Sequence, residues 1–105
     1  MITGISMTFE EELAKKVEIA VRAQTLLAEY LRLQTEDARE KAIKQMESDL
    51  QEGEKQGHTG LRLARSGWSA AFGEDEDGMD PTLRELFNIF CNLSSQRATK
   101  ISIGR

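Results

Sequence analysis

A chain of 105 residues, 39% apolar and 30% charged, is long enough for one domain with one core, and its six aromatics make that core thin. A net charge of −4 without a basic stripe argues against a nucleic-acid-binding surface. A single cysteine excludes an intramolecular disulfide framework. No run approaches the roughly 20 apolar residues of a membrane span, and the start lacks the basic and apolar regions of a secretion signal, so no membrane association and a cytoplasmic setting are expected.

Residues 1–8 read as an N-terminal arm. Thr8 and Glu11 have the spacing of a capping box, which starts a helix at Phe9. Leu13, Val17, Ala20, Leu27 and Leu31 then form one apolar stripe, and Ile19, Ala23, Leu26, Tyr30 and Leu33 flank it. So wide an apolar surface must touch more than one neighbour. Glu11 with Lys15, Glu12 with Lys16 and Glu18 with Arg22 stand at the four-residue spacing of a solvated, ion-paired face.

Thr35, Glu36 and Asp37 look like a cap and an acidic first turn for a second helix, with Ala38, Ala42, Ile43, Met46 and Leu50 as its narrower stripe. One unbroken helix over residues 9–52 is the rival reading, because neither Gly nor Pro interrupts it. The hairpin is preferred, since such a helix would be unusually long. Gln24, Gln34 and Gln45 fall in the seam of a strict heptad, which disfavours an ordinary coiled coil.

Residues 53–60, GEKQGHTG, read as a glycine-rich loop or hinge. Leu61, Ala64, Trp68, Ala71 and Phe72 fit a short third helix weakened by Gly67. Residues 73–80, GEDEDGMD, form an acidic loop, after which Asp80-Pro81 gives an N-cap with proline at the first helical position. The last helix carries Leu83, Leu86, Phe87, Phe90 and Cys91, frays near Arg97 and leaves a flexible tail over residues 98–105. Ile101-Ser102-Ile103 alternates as a strand would, so a short pairing with residues 2–5 is a minor alternative.

The candidate chemistry is thin. Asp75, Asp77 and Gly78 match the centre of an EF-hand loop, but the register puts Gly73 at the first ligand position and Arg84 where a bidentate Glu is needed. The acidic run is therefore read first as a solvated loop, then as a contact for a basic partner, with weak ion binding the least favoured alternative. His58, the only histidine, has no second ligand beside it, and Cys91 falls within an apolar stripe, where a thiol is normally inert. Carboxylates at ion-pair spacing give no reason for a raised pKa, and no phosphate-binding glycine loop is present. No catalytic, cofactor or metal residue is assigned.

These residues predict an all-α fold, a small helical bundle of three or four helices built on an N-terminal helical hairpin or one long helix, in a single domain spanning 1–105. Its expected core is Leu13, Val17, Leu27, Leu31, Ile43, Met46, Leu50, Leu86, Phe87 and Phe90. The expected function is a non-enzymatic protein-binding module, an adaptor, chaperone or inhibitor, which self-associates as a homodimer through the first helix. Its partner contacts would be Trp68 and Phe72 together with Glu74, Asp75, Glu76 and Asp77, whose charges can imitate nucleic acid. The alternative is a nucleic-acid-associated regulator acting through Arg62 and Arg65.

Overall fold

The capping box forms as its spacing predicts: the Glu11 N–H donates to Thr8 Oγ1 at 3.1 Å and the Thr8 N–H to Glu11 Oε1 at 2.9 Å, opening α1, Phe9–Leu33. The computed structural model describes residues 8–73 and 78–103, with side chains as far as residue 99. Three further helices follow, α2 (Glu36–Lys55), α3 (Gly57–Phe72) and α4 (Pro81–Ile103), and no strand occurs among the described residues. The protein is a small all-α bundle.

The chain breaks between α1 and α2, as the hairpin reading requires. Gln34 takes a left-handed conformation, φ 50°, and its N–H donates to Tyr30 O at 2.7 Å, while Thr35 Oγ1 accepts from the Ala38 N–H at 3.2 Å. A C-terminal stop and an N-cap on adjacent residues leave no room for a continuous helix.

The expected loop over residues 53–60 does not exist. α2 runs on to Lys55, Gln56 alone connects, and α3 starts at Gly57, whose φ of +84° favours a residue without Cβ. Gly53 and Gly60 are helical and buried, and they lie against each other: a Cβ on Gly60 would come within 2.6 Å of Gly53 O. Gly67 does the same between α3 and α1, where a Cβ would meet Ile19 Cγ2 at 2.6 Å. Two of the three glycines read as loop residues are therefore contact points between backbones. Gly60, Ala64, Gly67 and Ala71 make a stripe of small residues along α3, which lets α1 and α2 close on it.

The core contains Ile19, Leu27, Met46, Leu50, Leu61, Trp68, Leu83, Leu86 and Phe90. Trp68, Phe72, Phe87 and Phe90 form one aromatic cluster joining α3 to α4, with Phe72 edge-on to Phe87 at a centroid distance of 5.3 Å. Met79 is buried beside this cluster, just before the Asp80 cap, whose Oδ1 accepts from the Thr82 N–H at 2.8 Å. The rest of the acidic run, residues 74–77, lies outside the described residues.

Three expectations are corrected. α4 neither frays at Arg97 nor gives way to a tail at residue 98; it remains helical to Ile103, so Ile101-Ser102-Ile103 is not a strand. Arg97 Nη1 bonds Glu54 Oε1 at 2.7 Å, both side chains being largely shielded, which fastens the later turns of α4 to α2. Leu13 and Val17 are not core residues but are 48% and 51% exposed. Ile19 and Ala23 of the flanking stripe face inward instead, together with Leu27 of the first stripe.

Of the local ion pairs suggested by spacing, Glu18–Arg22 forms, while Glu12 turns to a tertiary partner. Glu12 pairs with Arg62 of α3 at 3.3 Å, while Arg22 reaches Asp49 at 2.7 Å and only secondarily Glu18 at 3.6 Å. Arg39 grips Glu85 of α4 through Nε and Nη2, both at 3.1 Å. That side-chain hydrogen bond, and then the arginine's charge, hold the Glu85 carboxyl below its ordinary value, and the same bond raises Arg39.

Because Glu85 is depressed on folding, its contribution is present above the unfolded glutamate pKa and is lost as pH falls through the folded value. The Arg39 shift acts far above any working pH. The melting-temperature difference between wild type and Glu85→Gln is therefore expected to shrink as pH is lowered through the carboxylate range. A difference independent of pH in a thermal melt series would contradict this.

Candidate protein-docking surface

α1 offers apolar side chains over much of its circumference, and α2 and α3 cover only part of it. Ile19, Ala23 and Leu27 enter the core. Phe9, Leu13, Val17 and Val21 follow one another at four-residue steps along another side and are exposed by 79%, 48%, 51% and 55%. Single exposed apolar residues are ordinary, but four in a row on one helix form a continuous stripe. Ala14 and Ala28 are exposed beside it, so the helix backbone there can be closely approached.

Shallow depressions adjoin both ends of this stripe. At one end Phe9 and Leu13 meet Arg62, Leu63 and Ser66 of α3. At the other, Val21 and Ala28 border Ala71 of α3 and Leu83 of α4. Both suit side chains arriving from outside rather than an enclosed small molecule.

A groove of mixed character runs between α1, α2 and α3, lined by Lys15, Arg22, Gln45, Asp49 and Glu52 on one hand and by Ile19, Leu63 and Ala64 on the other. Asp49, only 8% exposed, accepts from Trp68 Nε1 at 2.8 Å through Oδ2, and from Arg22 Nη2 at 2.7 Å and Gln45 Nε2 at 3.0 Å through Oδ1. Three donors from three helices thus converge on one carboxyl group. Both of its oxygens are engaged by the protein, Oδ1 by two donors and Oδ2 by one, so the arrangement fixes the positions of three helices. Among the described residues, Arg22 Nε is the one buried side-chain polar atom without a hydrogen-bond partner.

The residues singled out from sequence are scattered. Trp68 is fully buried and Phe72 nearly so, because both belong to the aromatic cluster; neither can be a partner contact in this fold. Glu74, Asp75, Glu76 and Asp77 lie outside the described residues. Arg62 and Arg65 do come together on an exposed face of α3, around a shallow depression shared with Ser66 and Ser69, but Arg62 is already paired with Glu12. Two arginines, one of them paired, make a small footprint for a phosphate backbone.

His58 is exposed in the first turn of α3. Cys91 is also exposed, not embedded in the α4 stripe as its spacing suggested, and forms no disulfide. Among the described residues no group of three His, Cys, Asp or Glu side chains is placed to hold a metal ion, and no helix is long and apolar enough to cross a membrane.

Phe9 and Val21 are the surface residues that sequence reasoning missed. Val21 belongs to neither stripe read along the first helix, yet the series 9, 13, 17, 21 was there to be found. Compared with protein-family models, curated proteins and solved structures, the chain gives no match.

Proposed function

We propose that this chain is a non-enzymatic helical module that binds another protein through the exposed side of α1, in the manner of an adaptor, chaperone or inhibitor. The observation that carries the reading is the stripe of Phe9, Leu13, Val17 and Val21, left uncovered by a bundle that closes its core elsewhere. Burying such side chains contributes about 25 cal/mol per Å² of apolar area, which a water-exposed helix face forgoes. The carboxyl group best shielded from water, Asp49, is committed to structure, which is why a binding role is preferred to catalysis. A reducing compartment such as the cytoplasm suits a chain with one exposed thiol.

The test is affinity capture from extracts of the native host with wild type and with Val17→Glu. Val17 is half exposed, so the charge should leave helicity and melting temperature nearly unchanged. The expected result is a reproducible set of captured proteins that Val17→Glu loses. Charge reversal at Glu74, Asp75, Glu76 and Asp77 provides the contrasting arm: loss there, with retention by Val17→Glu, would move the docking site to the acidic run.

A further inference from the structure

We infer that the occupant of the α1 face is a second copy of this chain, its α1 packed antiparallel about a two-fold axis beside Val21. The inference rests on the docking reading above and names the partner at that surface. Ala14, Val17, Val21, Gln24 and Ala28 fall in alternating steps of three and four, the repeat by which one helix seats against another, and all five are exposed. Of the three glutamines that count against an ordinary coiled coil, Gln34 and Gln45 lie beyond the end of α1 at Leu33, and Gln24 is the one polar residue in this short seam.

Charge decides the orientation. The first half of α1, residues 9–20, carries four glutamates against two lysines, whereas in the second half, residues 21–33, Arg22 is held by Asp49 and the last turn is basic through Arg32. A parallel pairing would stack the acidic first turns, Glu10, Glu11 and Glu12, on each other. An antiparallel pairing sets each acidic start beside a basic end and opposes the helix dipoles. Val21 is the midpoint of α1, so a two-fold axis there pairs the helix over its full length. Glu10 then lies across from the partner's Arg32 and Ala14 from the partner's Ala28, small against small. Neither Glu10 nor Arg32 joins an ion pair among the described residues, so both are available to a second copy.

Analytical ultracentrifugation of the full chain over a concentration series is the first measurement. A monomer–dimer equilibrium is expected, with Val21→Glu raising the dissociation constant roughly 100-fold or more, since two charges meet at the axis. Glu10→Lys and Arg32→Glu should each weaken the dimer roughly 3- to 10-fold, and the two together should restore it.

Direction is read by disulfide trapping in a Cys91→Ser background. Val21→Cys should cross-link to itself, and Ala14→Cys should cross-link to Ala28→Cys in mixed samples but not to itself. Self-cross-linking at Ala14→Cys, or failure of the double charge exchange to restore association, would overturn the antiparallel arrangement. A wild-type chain that stays monomeric at high concentration would overturn the second copy as occupant. If that monomer still captured host proteins in a Val17-dependent way, the docking reading would stand with a different partner, whereas loss of both would remove it too.

Discussion

Replacing Asp49 by alanine is expected to lower stability by about 3 kcal/mol, because it removes the acceptor on which donors from α1, α2 and α3 converge. The Trp68 indole N–H bears most of that cost. Trp68 is fully buried, and without Asp49 its indole N–H loses the acceptor that satisfies it. Arg22 is partly exposed and can turn toward solvent, so its share is smaller and the total falls at the low end for breaking a buried pair.

Asparagine is not a mild substitute at this position. Its amide keeps one acceptor oxygen but aims an NH₂ at the other donors, so Asp49→Asn should cost about 1–2 kcal/mol. For a chain of this size a loss of 3 kcal/mol corresponds to a melting-temperature drop on the order of 15 °C. Denaturant titration checks both values, with an unchanged m-value showing that the denatured state is not the cause. Trp68→Phe supplies the control: costly in the wild-type background, it should cost much less beside Asp49→Ala, where no indole N–H remains to be stranded. Equal penalties in the two backgrounds would show that the hydrogen bond contributes nothing.

Gly60→Ala is expected to cost about 2–3 kcal/mol, although alanine is the better helix former by about 1 kcal/mol. The new methyl would lie 2.6 Å from Gly53 O and 2.6 Å from Gln56 Cβ. Gly53 O is backbone, so no rotamer change relieves the overlap and α2 and α3 must separate. Gly53→Ala meets the same barrier from the other side, at 2.6 Å from Gly60 O. The two substitutions should therefore be less than additive when combined, since the first already forces the helices apart. Gly57→Ala forms a contrast: nothing lies within 4 Å of its Cβ position, and only the positive φ opposes it, at about 1 kcal/mol. Thermal melts that ranked Gly57→Ala as the worst of the three would return this segment to the status of a turn whose glycines serve backbone freedom alone.

That segment shows how a sequence can be misread. Three glycines among polar residues have the composition of a loop, and composition is a local property. Gly60, Ala64, Gly67 and Ala71 nevertheless recur at the three- and four-residue steps that mark one small-residue face on α3. The periodicity was present, but small residues carry little hydrophobic signal, so a search for apolar stripes passes over them. The end of α4 was lost for a related reason, because its later turns rely on the Arg97–Glu54 pair across 43 residues of chain.

The docking surface divides in the same way. The breadth of the apolar surface on α1 is a property of the sequence and implies that it meets more than one neighbour. Which part remains outside is not, since Leu13 and Val17 are as hydrophobic as Leu27 and end up on the opposite side of the exposure boundary. The position of α3 settles it, through the close fit of Gly67 against Ile19.

By itself the sequence determined the helical class, the capping box at Thr8 and the Asp80-Pro81 start of α4, and it favoured a break at Thr35. These depend on hydrogen bonds and dihedral preferences reaching no more than four residues along the chain. Only the tertiary structure decided that Gly53 and Gly60 join helices, that Asp49 is buried under three donors and that one side of α1 faces water. Those features depend on which helix lies against which, and the free energy that selects the arrangement comes from contacts between residues far apart in the chain.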